Sequence, residues 1–441
     1  MTEPKTSGPA AGSIDRFFNL TANGTSVRKE LVAGLTTFLT MAYILFVNPS
    51  ILGAAGMPEG SVFVATAVAA IAGTLIMALV ANYPIALAPG MGLNAFFAFT
   101  VVLAYNFTWQ EALAAVFCSG VIFVGISVIG LRRAIIDAIP ENLKRAISAG
   151  IGLFLGIIAF ENAGIVVDSP ATLVTAGDFA SAPVLLAILG FVLIAALNSL
   201  GILGGTIIGI LIVTVLGIPL GLVELNGLVS LPPDPTPTLF ALDFAKVATG
   251  TFWIVVFSLL LVDLFDTAGT LIGVSARAGL LDKEGRLPRM KQALLADSSA
   301  TVIGSLVGTS NTTSYVESAT GVAAGGRTGL TSLTVAVLFA LGLFFAPLAG
   351  AIPAYATAGA LLFVATLMLR GLAEIDWSDP TEVTPAVVCA IGMPFTYSIS
   401  DGIGLGFITY VLVKLFSGRI RDLTPFNVAI AVVFGLFFIW G

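Results

Sequence analysis

Three carboxylates stand where a lipid-crossing chain should not tolerate them. Asp263 and Asp266 lie three residues apart in the run FWIVVFSLLLVDLFDTAGTLIGV, and Glu317 lies in SNTTSYVESATGV, inside another largely apolar stretch. A carboxylate at the centre of a membrane helix costs roughly 2.5–3.5 kcal/mol on insertion scales, so such residues normally face a polar cavity and mark a substrate or proton path. On a helix, Asp263 and Asp266 are expected to share a face, with Thr267 and Thr270 following them one turn on. A purely structural role, in which the acid is satisfied by backbone or hydroxyl groups and ties two helices together, weighs equally for Asp263, since one of two neighbours often only braces the other.

Polar residues also gather where apolar runs are interrupted. YPIALAPGMGLNA (83–95) breaks one run and VGTSNTTSYVESATGVAAGG (307–326) breaks another. Backbone N–H and C=O groups freed at membrane depth survive only where they line a cavity or are buried in protein. Half-helices starting near Gly92 and Asn94, and near Ser314–Glu317, would aim unpaired N–H donors and a partial positive field into that cavity. The candidate substrate-binding set is therefore Gly92, Asn94, Asp266, Thr267, Ser314 and Glu317, and the candidate proton carriers are Asp266, Glu317 and Asp263. Glu161 and Asn162 read as a rim at the outer end of a span. Asp297, near the expected cytoplasmic start of a span, and Asp401, in a short turn, read as structural. The AFFAF aromatics at 95–99 read as packing.

Composition places these residues in a membrane. Of 441 residues, 57% are apolar and only 10% charged, against about 25% charged in soluble domains. Apolar runs long enough to cross a hydrocarbon core of roughly 30 Å recur from residue 30 onward. There is no histidine, which excludes His-based metal sites, Ser-His triads and His proton relays. No G-x-x-x-x-G-K-[ST] occurs, so no P-loop drives the chain with ATP. Cys118 and Cys389 each sit in an apolar run, so neither a disulfide framework nor a zinc site is expected. No cofactor is expected either, and a net charge of −6 suggests no nucleic-acid partner. The partners read from the residues are a small solute, a proton and the lipid bilayer. Nothing here looks like an enzyme.

The elements that must position the acids are about fourteen spans: 30–48, 61–82, 85–105, 110–131, 146–167, 183–200, 202–219, 250–276, 292–308, 312–326, 329–349, 353–370, 383–398 and 401–417. The stretch 383–417 reads as two spans or one broken helix, and 426–440 is short for a crossing. Residues 1–27 read as a polar cytoplasmic tail without a cleavable signal peptide, with a short interfacial helix at 14–20. With that tail inside, 18 of the 19 Lys and Arg residues fall on the cytoplasmic side and only Lys246 outside. This is the pattern of a multi-pass protein of the cell (inner) membrane.

A proline-rich outer loop, 220–249, divides the spans into two sevens. An odd number of crossings per half makes the second half enter the membrane from the opposite side, the plan of an inverted repeat. The two interrupted spans, three and ten, occupy matching positions in the halves.

The motifs MAYILFVNPSIL (41–52), APGMGLNAFFAF (88–99), DLFDTAGTLIGV (263–274) and SNTTSYVESATGVAAGGRTGLTSL (310–333) closely resemble the adenine/guanine/hypoxanthine permease family, the AzgA-like purine transporters, over residues 28–417. The resemblance implies the uracil-permease fold: all-α, fourteen spans as a 7+7 inverted repeat, with a core domain and a gate domain. On this chain the core would be 28–131 and 250–349, the gate 132–219 and 350–441, with 1–27 as tail and 220–249 as extracytoplasmic loop. It implies proton-coupled uptake of a purine nucleobase held between spans three, eight and ten, with Asn94, Asp266 and Glu317 at the family's binding positions. Asp266 is the acid we assign to proton coupling. A homodimer is expected from the resemblance alone. Readings left open at this level are a carrier of xanthine or uracil, sodium coupling, an anion carrier (which Glu317 would oppose) and a channel.

Overall fold

The computed structural model describes residues 13–129, 139–225, 227–283 and 286–440. Lys5 and the first part of the expected tail, and the basic pair Arg132 and Arg133, lie outside the described residues. Among the described residues, nine helices are long and apolar enough to cross a membrane, and three more apolar helices are shorter.

A short helix α1 (Ser13–Phe18) occupies the expected interfacial stretch. α2 (Val27–Met41) begins after Ser26 and is continued past a bend at Ala42–Tyr43 by α3 (Ile44–Ala54). α4 (Glu59–Ile76) runs on through a π-helical turn, Met77–Ala81, and ends at Asn82, whose φ of 52° turns the chain. The strand β1 (Leu87–Pro89) leads into α5 (Met91–Ala95), which continues as a π-helical segment, Phe96–Ala104. α6 (Trp109–Ile129) and α7 (Glu141–Asn162) follow. The strands β2 (Val166–Ser169) and β3 (Leu173–Ala176) form an exposed hairpin that periodicity did not reveal. α8 (Ala182–Ser199) and α9 (Gly205–Gly217) close the first half.

In the second half come α10 (Gly250–Arg277), α11 (Met290–Val307), β4 (Thr312–Ser314) and α12 (Ser318–Ala323). α13 (Gly329–Gly342) continues through a 3-10 turn into α14 (Ala346–Ala351), and α15 (Ala354–Met368) follows. The 383–417 stretch is two helices, α16 (Pro380–Thr396) and α17 (Ile399–Phe416), reversed at Tyr397, which holds φ 55°. The last helix is α18 (Pro425–Trp440). Asp379 starts α16 by accepting from the Thr381 N–H at 3.0 Å. That bond, the Thr381 hydroxyl and Arg419 hold the Asp379 carboxyl down at about 2.

Two sets of helices pack mainly among themselves. α2–α6 with α10–α13 form one, and α7–α9 with α15–α18 form the other. Small residues let the backbones approach, as is usual between membrane helices. At Gly321 of α12, a Cβ would meet Thr37 Oγ1 at 2.1 Å and the Ala33 carbonyl at 2.6 Å, so α12 lies directly on α2. Glu30, fully buried on α2, caps the start of α13, accepting from the N–H groups of Arg327, Thr328 and Thr331 and from the Thr331 hydroxyl at 2.6–3.2 Å. A buried acid satisfied this way costs little and fixes the packing of the two helices.

Candidate functional site

The two interrupted stretches meet. β1 and β4 pair antiparallel, Leu87 opposite Ser314, Ala88 opposite Thr313 and Pro89 opposite Thr312. Gly90 N–H donates to the Asn311 carbonyl at 2.9 Å and Tyr315 N–H to the Ala86 carbonyl at 2.9 Å, extending the ladder at both ends. The Tyr315 hydroxyl closes it on the Pro89 carbonyl at 2.6 Å. A two-strand patch deep in a helical bundle satisfies the backbone groups that the broken helices release.

A half-helix leaves each strand. α5 starts at Met91 with Gly90 as its cap residue, so the N–H groups of Met91, Gly92 and Leu93 have no intrahelical acceptor. The end of α12 differs. Ser318, Ala319 and Thr320 N–H groups already bond to the carbonyls of Tyr315, Val316 and Glu317 in tight turns, so the donors expected there are largely used. What that end presents instead is a carboxylate, Glu317, at its cap position.

Glu317 accepts a 2.6 Å hydrogen bond from the Tyr43 hydroxyl at the bend between α2 and α3. Asp266 has open surface and lies close to Glu317 and within reach of the Thr313 side chain. Asn94 is fully buried in α5; its Nδ2 donates to Asn48 Oδ1 at 2.9 Å, while its own Oδ1 has no partner. Asn48 in turn donates to Thr66 at 2.7 Å and Thr309 at 2.9 Å, which ties α3, α4 and the chain before β4 to the back of α5. Gly92 lies against α7, where a Cβ would meet Ile151 Cγ2 at 2.5 Å.

Thr267 and Ser314 lie on the other side of the strand patch. Both are buried, and both lie beside Asp297 of α11; Ser314 donates to its Oδ1 at 3.0 Å. Asp297 is fully buried two turns into α11. Asp263 joins this inner layer, accepting from Asn311 Nδ2 at 2.9 Å and Thr301 Oγ1 at 3.1 Å. The expectation that Asp263 and Asp266 share one face is thus corrected. Residues i and i+3 are offset by about 60° around a helix, and here the boundary between packed core and open surface runs between them.

The site is open at one end and shut at the other. Towards Arg277, a cavity of about 160 Å³ is lined by Gly269, Thr270, Gly273, Val274, Arg277, Val316 and Ala319. Gly269 and Gly273 have open space where a Cβ would stand. At the opposite end, the 397–401 turn seals against the first set of helices. Thr100 Oγ1 donates to the Tyr397 carbonyl at 3.1 Å, and the Tyr105 hydroxyl donates to Asp401 Oδ1 at 2.7 Å and shares a 3.0 Å hydrogen bond with Ser398 Oγ. Ser400 and Ser258 hydroxyls bond at 2.8 Å, and Tyr397 OH reaches Glu161 at 2.5 Å. The Phe99 and Phe154 rings pack edge-on to Tyr397.

Asp401 and Glu161 therefore belong to this seal, Asp401 from the first turn of α17 and not from a loop. Tyr43 and Asn48 were not singled out by residue type, although both lie in the 41–52 motif; an Asn-Pro pair inside an apolar run was the available signal. Among the described residues, no group of three or more Cys, Asp or Glu is placed to hold a metal ion.

Comparison with known proteins places the chain in a family. A model described as "Permease family" matches residues 28–405. Adenine permease AdeP of Escherichia coli is 48% identical, with 96% of this chain and 95% of that protein covered. Guanine/hypoxanthine permease PbuO of Bacillus subtilis is 46% identical, covering 95% and 98%. In three dimensions the chain is similar to the transmembrane domain of a cyanobacterial bicarbonate transporter, BicA, with a TM-score of 0.65 at 15% identity, covering 86% of this chain and 97% of that one. The chain is a multi-pass membrane transport protein, not an enzyme, and it belongs to the permease family that includes the adenine and guanine/hypoxanthine permeases.

Proposed function

We propose that this protein takes up purine nucleobases (adenine, guanine or hypoxanthine) by proton symport across the cell membrane, with its N-terminus in the cytoplasm. One observation carries the reading: Asp266 lies close to Glu317 and to Thr313 of the β1–β4 junction, and the residues next to them in sequence, Gly269, Thr270, Val316 and Ala319, line a cavity. A purine base is flat, largely neutral and edged with N–H donors and carbonyl or ring-nitrogen acceptors. Glu317, held by Tyr43, accepts from ring N–H groups. The free N–H groups of Met91 to Leu93 donate to a carbonyl or ring nitrogen. Asn94 acts from behind, fixing α5 through Asn48. The names of the permeases it resembles support a purine substrate.

On this reading the chain forms fourteen membrane segments in two inverted sevens. The helices α2–α6 together with α10–α14 make the core, and α7–α9 with α15–α18 make the gate. The arrangement described is then open to the cytoplasm through the Gly269–Arg277 cavity and closed outside at Tyr397. Rocking or elevator movement of the core past the gate exposes the junction to either side. Protonation of an acid at spans eight to ten, among Asp263, Asp266 and Glu317, accompanies closure around the base. An anion carrier on the same fold is the rival, and two carboxylates beside the helix ends oppose it.

The test is uptake of labelled adenine, guanine and hypoxanthine into proteoliposomes. Accumulation rises with an inward proton gradient, collapses with a protonophore and is abolished in Glu317→Gln. Accumulation driven by a sodium gradient alone, or of bicarbonate in place of purines, would overturn the reading.

A further inference from the structure

Behind the binding strands lies a second pair of acids that purine recognition does not use. Asp263 of α10 and Asp297 of α11 are both fully buried and stand within hydrogen-bonding reach of each other. Asn311 and Thr301 donate to Asp263 Oδ2, and Ser314 donates to Asp297 Oδ1. The other oxygens, Asp263 Oδ1 and Asp297 Oδ2, have no donor, and the buried Thr267 hydroxyl beside them has no partner.

No Lys or Arg ion-pairs with either acid among the described residues. The other ionisable groups facing the pair are few. Asp266 acts on both from the next turn of α10, and Tyr315 and Glu317 follow β4. The neighbouring α6 and α4 contribute Cys118 and, at their ends, Glu111 and Glu59. All of these are acidic or neutral, and the cations of the same helices, Arg277, Arg289 and Lys291, stand at their ends, so only hydrogen-bond donors offset the pair's charge. Two carboxylates sharing a dry site cannot both ionise, and a buried unpaired charge costs several kcal/mol. A single proton between them removes the repulsion and leaves one negative charge, which the donors Asn311, Thr301 and Ser314 stabilise. Two carboxyl groups within hydrogen-bonding reach of each other suit a shared proton, and sodium is the competing occupant that the test below separates.

We propose that Asp263 and Asp297 form a one-proton site behind the binding strands, and that this pair, in place of the Asp266 expected from the sequence, carries the proton exchanged during transport. Asn311, just before β4, and Ser314, at its end, hold the two acids, and the register of β4 with β1 positions α5 and Glu317. Losing the proton leaves two anions that pull on or push away those side chains, so the charge of the pair is felt at the binding junction. The role in transport rests on the proton-symport reading; the existence of the site does not.

Infrared spectroscopy of the purified protein tests the site without any purine. The wild type shows a protonated carboxylic-acid C=O band at neutral pH that Asp263→Asn and Asp297→Asn each shift or remove, as the partner that shares the proton is lost, and that Asp266→Asn leaves unchanged. Absence of that band in the wild type, its survival unshifted in both the 263 and 297 variants, or its loss on exchanging N-methylglucamine for sodium would overturn the proposal. The wild-type spectrum decides even where a variant does not fold. In proteoliposomes, Asp297→Asn loses gradient-driven accumulation roughly tenfold more than base-for-base exchange; equal loss of both would overturn the coupling role. Wild-type vesicles that move no purine would sink the proposed substrate while leaving the infrared result standing.

Discussion

One helix presents two carboxylates to two different media. Asp263 is fully buried against α11 and β4 and accepts two hydrogen bonds, whereas Asp266, three residues on, has open surface beside Glu317. The same division continues along α10. Thr267, Leu271 and Val274 are buried, while Gly269, Ile272, Gly273 and Arg277 are exposed. The helix is thus a wall with a packed side and an open side. What an acid can do on it is decided by an offset of about 60°, less than its distance along the chain suggests.

Truncation separates the two sides most sharply. Asp263→Ala strands the Asn311 amide and leaves Asp297 without its neighbour in a dry site, so the protein should lose about 3 kcal/mol of stability. Asp266→Ala removes an exposed group and should cost less than about 1 kcal/mol, while purine binding is lost. Thermal unfolding in detergent, read beside a binding assay, checks both. Equal destabilisation by the two changes would erase the distinction between the sides.

Much of this organisation was legible from residue types. The Gly, Pro, Asn, Ser and Thr clusters at 83–95 and 307–326 marked both interruptions, because such residues release backbone groups that hydrocarbon punishes, and the two stretches do pair as β1 and β4. The acids Asp266 and Glu317 followed from the cost of burying charge in lipid. Depth and direction were harder to read. Asp297 reads as structural from its place near the expected cytoplasmic start of a span, yet α11 carries it two turns inward into a fully buried position. Thr267 and Ser314 were expected to face the substrate, but both lie beside Asp297, since which side of a helix or strand is wet depends on tertiary packing. The β2–β3 hairpin escaped because it is short and exposed and buries no alternating face.

The open side should accept side chains that the packed side would reject. A Cβ on Gly273 meets nothing within 4 Å, in contrast to Gly321, where one would press on Thr37 and the Ala33 carbonyl. Gly273→Leu should therefore leave the unfolding temperature within a degree or two of wild type, beyond a small helix-propensity gain. The leucine would occupy much of the 160 Å³ cavity and slow uptake roughly tenfold by obstructing the path. A destabilised Gly273→Leu would mean that this face of α10 is packed and that the open side has been misplaced.

The smallest expected effect lies at the closed end, and it tests whether that closure is one state of a cycle. The Tyr105 hydroxyl bonds Asp401 and Ser398 across the boundary between the two helix sets, and Asp401 N–H is itself held by Ser398 Oγ at 3.1 Å. Tyr105→Phe keeps the ring and its contact with Phe437 but removes the link to the acid. One hydrogen bond of this kind is worth about 1 kcal/mol net, so the population open at the Tyr397 end should rise roughly fivefold. Labelling of a cysteine placed at Thr100 by an impermeant thiol reagent reads that population from outside the cell, with wild-type labelling of Cys118 and Cys389 as background. Faster labelling from outside together with slower labelling at position 273 from inside is the outcome expected of two mutually exclusive openings. A rise at both ends would describe a leak through the protein, which is the behaviour of a channel.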